Sequence, residues 1–310
     1  MEAFTTVFPI FVIIVLGWVA RKRGFITAHF LEPANRLVYY LALPALIFTS
    51  IAKTNFHEQF EATVLIITLA VAALSYLLAD LFARVTKMAP ERVGAYVQCS
   101  GHGNLGYIGL PIALYYLGQE GLAKAGIICG FLMILQNVLS VVSLQLHGKE
   151  GSAALSGKTL LRKLLGNPVI IAAMGGIAVS FLSIPLPKVL LRSLDILGGL
   201  APPTALLLIG ASLSLKLFRV YRLPTIGAVC FKLLVLPGLG LALFHLFHLG
   251  ATDYLPAIIL LSSPTATVAY VMAKEMGGDA DFSVAAISVS TLASALTFMF
   301  WLALVAEMAD

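Results

Sequence analysis

The chain has 310 residues, of which 60% are hydrophobic and only 11% charged, whereas about a quarter of the residues of a soluble domain carry charge. That excludes an ordinary water-soluble domain and places the chain among integral membrane proteins. The net charge of +5 sits in short runs between apolar segments, with no basic face and no aromatic stacking platform, so it reads as headgroup-facing flanks and not as a nucleic-acid surface.

A hydrocarbon core about 30 Å thick takes about 20 helical residues to cross. By that criterion ten spans are predicted, at 6–20, 37–52, 62–84, 93–117, 125–146, 169–186, 191–217, 224–247, 254–273 and 282–305. The first run has no cationic region before it and no small-residue cleavage site, and its cluster Arg21, Lys22 and Arg23 follows it. It is therefore expected to be retained as a span. With the amino terminus outside, the loops after odd-numbered spans carry fourteen Lys and Arg and the outer loops four (Lys53, Lys124, Lys188 and Arg192), while Arg36 and Lys232 fall within spans. This asymmetry predicts both termini outside, and a plasma-membrane location is expected.

Five spans per half require the halves to be related by inversion. A shift of 159 residues superposes Pro9 on Pro168, Gly17 on Gly176, Pro44 on Pro203 and Gly118 on Gly277. The predicted organisation is a first repeat at 1–147, a cytoplasmic linker at 148–166 and a second repeat at 167–310.

The fourth span breaks the rules for a plain membrane helix, because Gly101, Gly103, Asn104, Gly106, Gly109 and Pro111 crowd its middle. Glycine costs about 1 kcal/mol and proline about 3 kcal/mol per interior helical position, and the backbone groups they release must find partners in hydrocarbon. Such a break persists where it lines a buried polar cavity. The shift maps this span onto the ninth, which carries Ser262, Ser263, Pro264, Thr265 and Thr267 near its centre. Two interrupted helices in equivalent positions point to a transporter site. Ser263 followed by Pro264 reads as an N-cap and first helical position, restarting a half-helix whose free N–H groups suit a carboxylate. Asn104 can add hydrogen bonds without a buried charge.

Neither break holds a central Asp or Glu, which a cation–proton antiporter on a related fold, the alternative reading, would need. Lys232 is the most membrane-central charge and reads as a counter-charge, a coupling group or a snorkelling side chain. Asp80 is a candidate proton carrier, and either it or Asp195 could pair with Lys232 or Arg36. Gln98, Ser100 and His102 precede the break, and Gln136 and Asn137 lie in the fifth span. Gln136 has the depth to line a midplane site, and His102 is a further coupling candidate; interhelical bonding is the plainer reading for both. Cys99, Cys129 and Cys230 lack metal or disulfide spacing and read as packing residues. Tyr39, Tyr40, Tyr115, Tyr116 and Trp301 read as interfacial or packing aromatics. There is no HExxH and no pair of intramembrane aspartates at a shared depth, so an intramembrane enzyme is not expected, and neither a metal nor a bound cofactor is called for.

With NLGYIGLPIA at 104–113 and SSPTATVAYVMAKE at 262–275, the chain resembles the auxin efflux carrier family of secondary transporters, which includes bacterial permeases and the plant PIN carriers. YLALPALIF at 40–48, GNPVIIA at 166–172, PTALLLIGASL at 203–213 and GGDADFSVAAISVSTL at 277–292 extend the likeness over nearly the whole chain. The resemblance implies an all-α fold of ten transmembrane helices in two inverted five-helix repeats. It is the fold of the NhaA and bile-acid symporters, with broken helices four and nine crossing and each of two domains, scaffold and transport, drawing on both repeats. It also implies elevator-type transport of small organic anions, carboxylates or auxin-like acids, and homodimerisation through scaffold helices. By the same carry-over Asn104 and the backbone around Pro111 and from Val268 to Tyr270 would meet the substrate and Gln136 would flank it; the full set expected at the site is Gly103, Asn104, Leu105, Tyr107, Gly109, Pro111, Gln136, Ser263, Pro264, Thr267, Val268 and Ala269. Ala269 stands where plant members have a second proline, which implies a looser ninth-span crossover. No side-chain set resembles the sodium sites of bile-acid symporters.

Overall fold

The computed structural model describes residues 2–147, 158, 161–162 and 165–309. Among them the regular structure is helical, apart from one isolated β-bridge. The predicted linker at 148–166 lies mostly outside the described residues. Seven helical stretches are long and apolar enough to cross a membrane, and Pro168–Phe181 and Ala251–Leu261 are shorter apolar helices. The count differs from ten because the stretch Leu105–His147 contains Gly118 at φ 70°, ψ −162°, where two helices meet. The interrupted spans also fall into pieces too short to qualify alone.

The chain divides into two compact units, each drawing on both halves of the sequence. Unit 1 comprises Met1–Ala62, Leu105–Phe131 and Leu165–Leu213. Its helices are α1 (Glu2–Lys22), α2 (Ala28–Leu37), α3 (Leu43–Ala52), α4 (Phe56–Gln59), the first part of α7 (Leu110–His147), α8 (Pro168–Phe181), α9 (Lys188–Gly198) and α10 (Ala201–Ser212). Thr27 caps α2 by accepting from the Phe30 N–H at 3.3 Å. Helix α2 begins nine residues before the predicted second span, because its polar face with His29, Glu32 and Arg36 hides it from a hydropathy criterion.

Backbones approach closely in this unit where side chains are absent. A Cβ on Gly17 of α1 would lie 2.1 Å from the Leu207 carbonyl oxygen of α10. A Cβ on Gly176 of α8 would lie 3.1 Å from the Phe48 carbonyl oxygen and 3.0 Å from Ile51 Cβ, both on α3. Asp195 on α9 forms an ion pair with Lys53, not with Lys232 or Arg36 as considered from sequence.

Unit 2 comprises Thr63–Asn104, Leu132–Leu164 and Ser214–Asp310. It holds α5 (Ala62–Val85), α6 (Pro90–Gly101), the end of α7, α11 (Arg222–Cys230), α12 (Leu236–Leu246), α13 (Ala251–Leu261), α14 (Val268–Glu275) and α15 (Ala280–Ala309). Its core gathers around the fully buried Tyr96, whose ring contacts Phe82, Phe231 and Phe282. Cys99 and Cys129 are buried, but Cys230 is exposed and is not a packing residue.

Three π-helical turns interrupt the helices: π1 (Val38–Ala42), π2 (Leu105–Gly109) and π3 (Phe231–Val235). Each is followed at once by Leu-Pro, at Pro44, Pro111 and Pro237. Proline lacks an N–H and its ring crowds the carbonyl four residues back, so the helix widens to i→i+5 pairing before it. Leu43 N–H thus reaches Val38 O, and Leu236 N–H reaches Phe231 O. The Leu233 carbonyl, four residues before Pro237, receives the Trp301 indole N–H at 2.8 Å. Trp301 is therefore a buried structural donor, not an interfacial belt residue.

Candidate functional site

Helix α6 starts at Pro90, a position where the missing N–H costs nothing, and stops at Gly101 because His102 turns extended (φ −82°, ψ 105°). A Cβ on Gly101 would fall 2.1 Å from the Tyr76 ring, so only glycine fits at this helix end. Gly103 then pairs with Thr265 in an antiparallel bridge. Asn104 N–H donates to Pro264 O at 2.7 Å, and Ala266 N–H donates to His102 O at 2.9 Å. The two interrupted helices meet through these bonds, α6 ending on one side and α13 on the other.

Polar side chains from neighbouring helices hold the bridge. Gln136 accepts from Gly103 N–H with Oε1 and donates to Gly101 O with Nε2, both at 3.2 Å. Ser290 on α15 accepts from Thr265 N–H at 3.1 Å, while the Thr265 hydroxyl donates to Cys99 O at 2.9 Å. His102 Nδ1 lies 2.9 Å from Ser140 Oγ, which is 2.9 Å from Tyr76 Oη. Gln98, Gln136, His102, Asn104, Ser263 and Thr265 are all buried. A membrane interior offers no water to backbone groups, so the bonds from Gln136, Ser290 and Thr265 are what keep the unwound backbone supplied there.

The structure brings Gly103, Asn104, Gln136, Ser263 and Pro264 together in unit 2, with Thr267, Val268 and Ala269 at the start of α14. Leu105, Tyr107, Gly109 and Pro111 belong to unit 1, where π2 and α7 carry them and Tyr107 donates to Asn35 O at 3.2 Å. Ser263 is not the N-cap anticipated from Ser-Pro. Its hydroxyl donates back to Ile259 O at 3.1 Å, closing the end of α13, and the helix restarts four residues after Pro264, at Val268. Pro264 instead stands beside the bridge, and its carbonyl accepts the Asn104 N–H. At Ala269 the N–H donates to Ala266 O at 3.0 Å.

Of the coupling candidates, Lys232 is fully buried and donates to Leu261 O at 2.6 Å. Asp80 does not pair with it. The Asp80 carboxylate lies 2.6 Å from Arg84 and 2.7 Å from His147, joining α5 to the end of α7. Ser140, Tyr76 and Ser290 were not singled out from sequence, because isolated hydroxyls in apolar helices look alike until the bridge they support is placed. At the far end of α6, Arg92 pairs with Asp279 at 3.0 Å and lies over the Tyr221 ring, and Gln98 donates to Met272 Sδ on α14 at 3.2 Å. Among the described residues there is no cluster of His, Cys, Asp and Glu able to hold a metal.

A helical membrane bundle with two broken helices joined at a polar bridge defines a membrane transporter. The chain matches the family described as "Membrane transport protein" over residues 2–148 and 140–302, and it belongs to that family, the auxin efflux carriers. It is 25% identical to an "Uncharacterized transporter" of Methanocaldococcus jannaschii over 97% of this chain and 98% of that one. It is 29% identical to the "Putative malonate transporter" of Rhizobium meliloti over 94% and 92%, respectively. An "Uncharacterized transporter" of Methanothermobacter thermautotrophicus is 22% identical over 97% and 98%.

Proposed function

We propose that the chain is a secondary carrier of small organic anions, with carboxylates as its substrates, working by elevator-type alternating access in the plasma membrane with both termini outside. The observation that carries the reading is the bridge of Gly103 and Thr265, where two helices open in a buried polar setting that contains Asn104 and no carboxylate. Helix amino ends and amide donors favour an anion, and the absence of a central Asp or Glu disfavours a cation as cargo. The name of the Rhizobium meliloti relative, which refers to a dicarboxylate, points the same way.

The inverted ten-span repeat is part of this proposal. The 159-residue shift carries Gly17 onto Gly176 and Phe48 onto Leu207, and these residues make the close approaches α1 to α10 and α8 to α3. Gly118 and Gly277, related by the same shift, both have positive φ, at 70° and 74°. In this reading unit 2 is the transport domain and unit 1 the scaffold. Asn104 binds the carboxylate, Gln136 shapes the pocket, and His102 and Asp80 are the groups that respond to protons.

The test is uptake of labelled malonate and other mono- and dicarboxylates into proteoliposomes. Asn104→Ala removes one hydrogen bond to a charged group, about 1.5–3 kcal/mol, so uptake should fall roughly 10- to 100-fold while the protein remains folded. Unchanged uptake in that variant would sink the assignment of Asn104. If no carboxylate is carried and a pH jump instead drives sodium or potassium, the chain is an antiporter.

A further inference from the structure

The two half-helices that end at the bridge close their carboxyl ends by different chemistry. A helix leaves its last four carbonyls without intrahelical partners. In α6, Gln98 O receives the His102 N–H, Cys99 O the Thr265 hydroxyl and Gly101 O the Gln136 amide. All of these donors are neutral. In α13, Ile258 O receives the Ser262 N–H, Ile259 O the Ser263 hydroxyl and Leu260 O the Ser263 N–H. The last carbonyl, that of Leu261, receives the Lys232 ammonium at 2.6 Å.

Nothing in the sequence required a charge there, and a fully buried lysine is costly to keep in a membrane. Among the described residues no carboxylate pairs with it; Asp195 is held by Lys53, Asp80 by Arg84, and Asp279 by Arg92. The negative end of the α13 dipole is the group that faces this charge. Beside Leu261, the Ser262 hydroxyl is buried with no hydrogen-bond partner, an oxygen left over at the same helix end. Carriers built on interrupted helices use half-helix carboxyl ends and unwound carbonyls of this kind to bind sodium.

We infer that Lys232 is a built-in cation, its ammonium standing at the α13 end where an alkali cation would otherwise bind, so that this carrier needs no sodium. The inference rests on the bridge being the core of a carrier, and it extends that reading to the question of the co-substrate. It makes the charge a fixed part of the protein, carried through every step of the cycle.

The experiment measures thermal unfolding of the purified full chain in sodium, lithium, methylammonium or choline at equal ionic strength, with Lys232→Ala and Lys232→Ser beside the native protein. The native protein should unfold at the same temperature in all four. Both variants should unfold earlier in choline, which is too large for the vacated site, and sodium, lithium or methylammonium should restore most of the loss. Lys232→Ser, which adds a hydroxyl ligand, should respond to the alkali cations more strongly than Lys232→Ala. If a variant cannot be isolated in choline, it is purified in methylammonium and then exchanged. Stabilisation of the native protein by sodium would overturn the inference, as would variants indifferent to every cation. Because the readout needs no substrate, cation-restored stability alongside absent carboxylate uptake would fail the carrier reading and leave the built-in cation standing.

Discussion

Gln136 and Asn137 are adjacent amides in one apolar helix, and nothing in their type or spacing tells them apart. The structure separates them completely. Gln136 bridges Gly101 O and Gly103 N–H, whereas Asn137 donates to Met133 O in its own helix at 2.7 Å. Gln136→Leu strips two buried backbone groups of their partners at about 1–3 kcal/mol each, so its melting temperature should drop well below that of Asn137→Leu, as a thermal scan in detergent can check. Gln136→Glu keeps an acceptor for Gly103 N–H but loses the donor to Gly101 O, and it places negative charge beside the proposed anion. It should be the worse of the two substitutions for uptake. The site was legible in sequence as far as residue types and depth allow: the glycines, Asn104 and Pro264 stand out because they are costly in a membrane helix. Their supports, Ser140, Tyr76 and Ser290, cost little wherever they sit, so they left no such trace.

At the scale of elements, the break in each interrupted helix was readable from glycine and proline, but its outer edge in the ninth span was not. A Ser-Pro pair serves equally to begin a helix or to finish one, and here the hydroxyl of Ser263 finds the carbonyl behind it first. The π turns were likewise invisible, although each precedes Leu-Pro, because α-helix propensity says nothing of how a widened turn recovers its hydrogen bonds. π3 gives the sharpest test. Trp301→Phe leaves Leu233 O without its donor and should cost about 1–3 kcal/mol. Pro237→Ala restores a backbone N–H in the neighbourhood of that carbonyl. In a double-mutant cycle the Trp301→Phe penalty should therefore shrink in the Pro237→Ala background. A penalty of equal size in both backgrounds would mean that the tryptophan matters through packing alone.

For the whole molecule, composition alone assigned the chain to the membrane, and the family motifs gave its class. The number of crossings was harder to read, because Gly118 joins two helices without a loop and because the broken helices count as fragments. Charge asymmetry predicts the orientation, and single cysteines placed in a background lacking Cys99, Cys129 and Cys230 can check it. A cysteine at Lys53 should react with a membrane-impermeant maleimide added to intact cells, and one at Arg23 should react only after the membrane is opened. The opposite pattern would invert the topology. Gln98 to Met272 and the Gly103–Thr265 pairing fasten the first interrupted helix to the second at two levels, and Arg92 to Asp279 ties it to the start of α15. In the proposed elevator cycle, a cargo lodged beside the pairing would be held by walls that keep their shape.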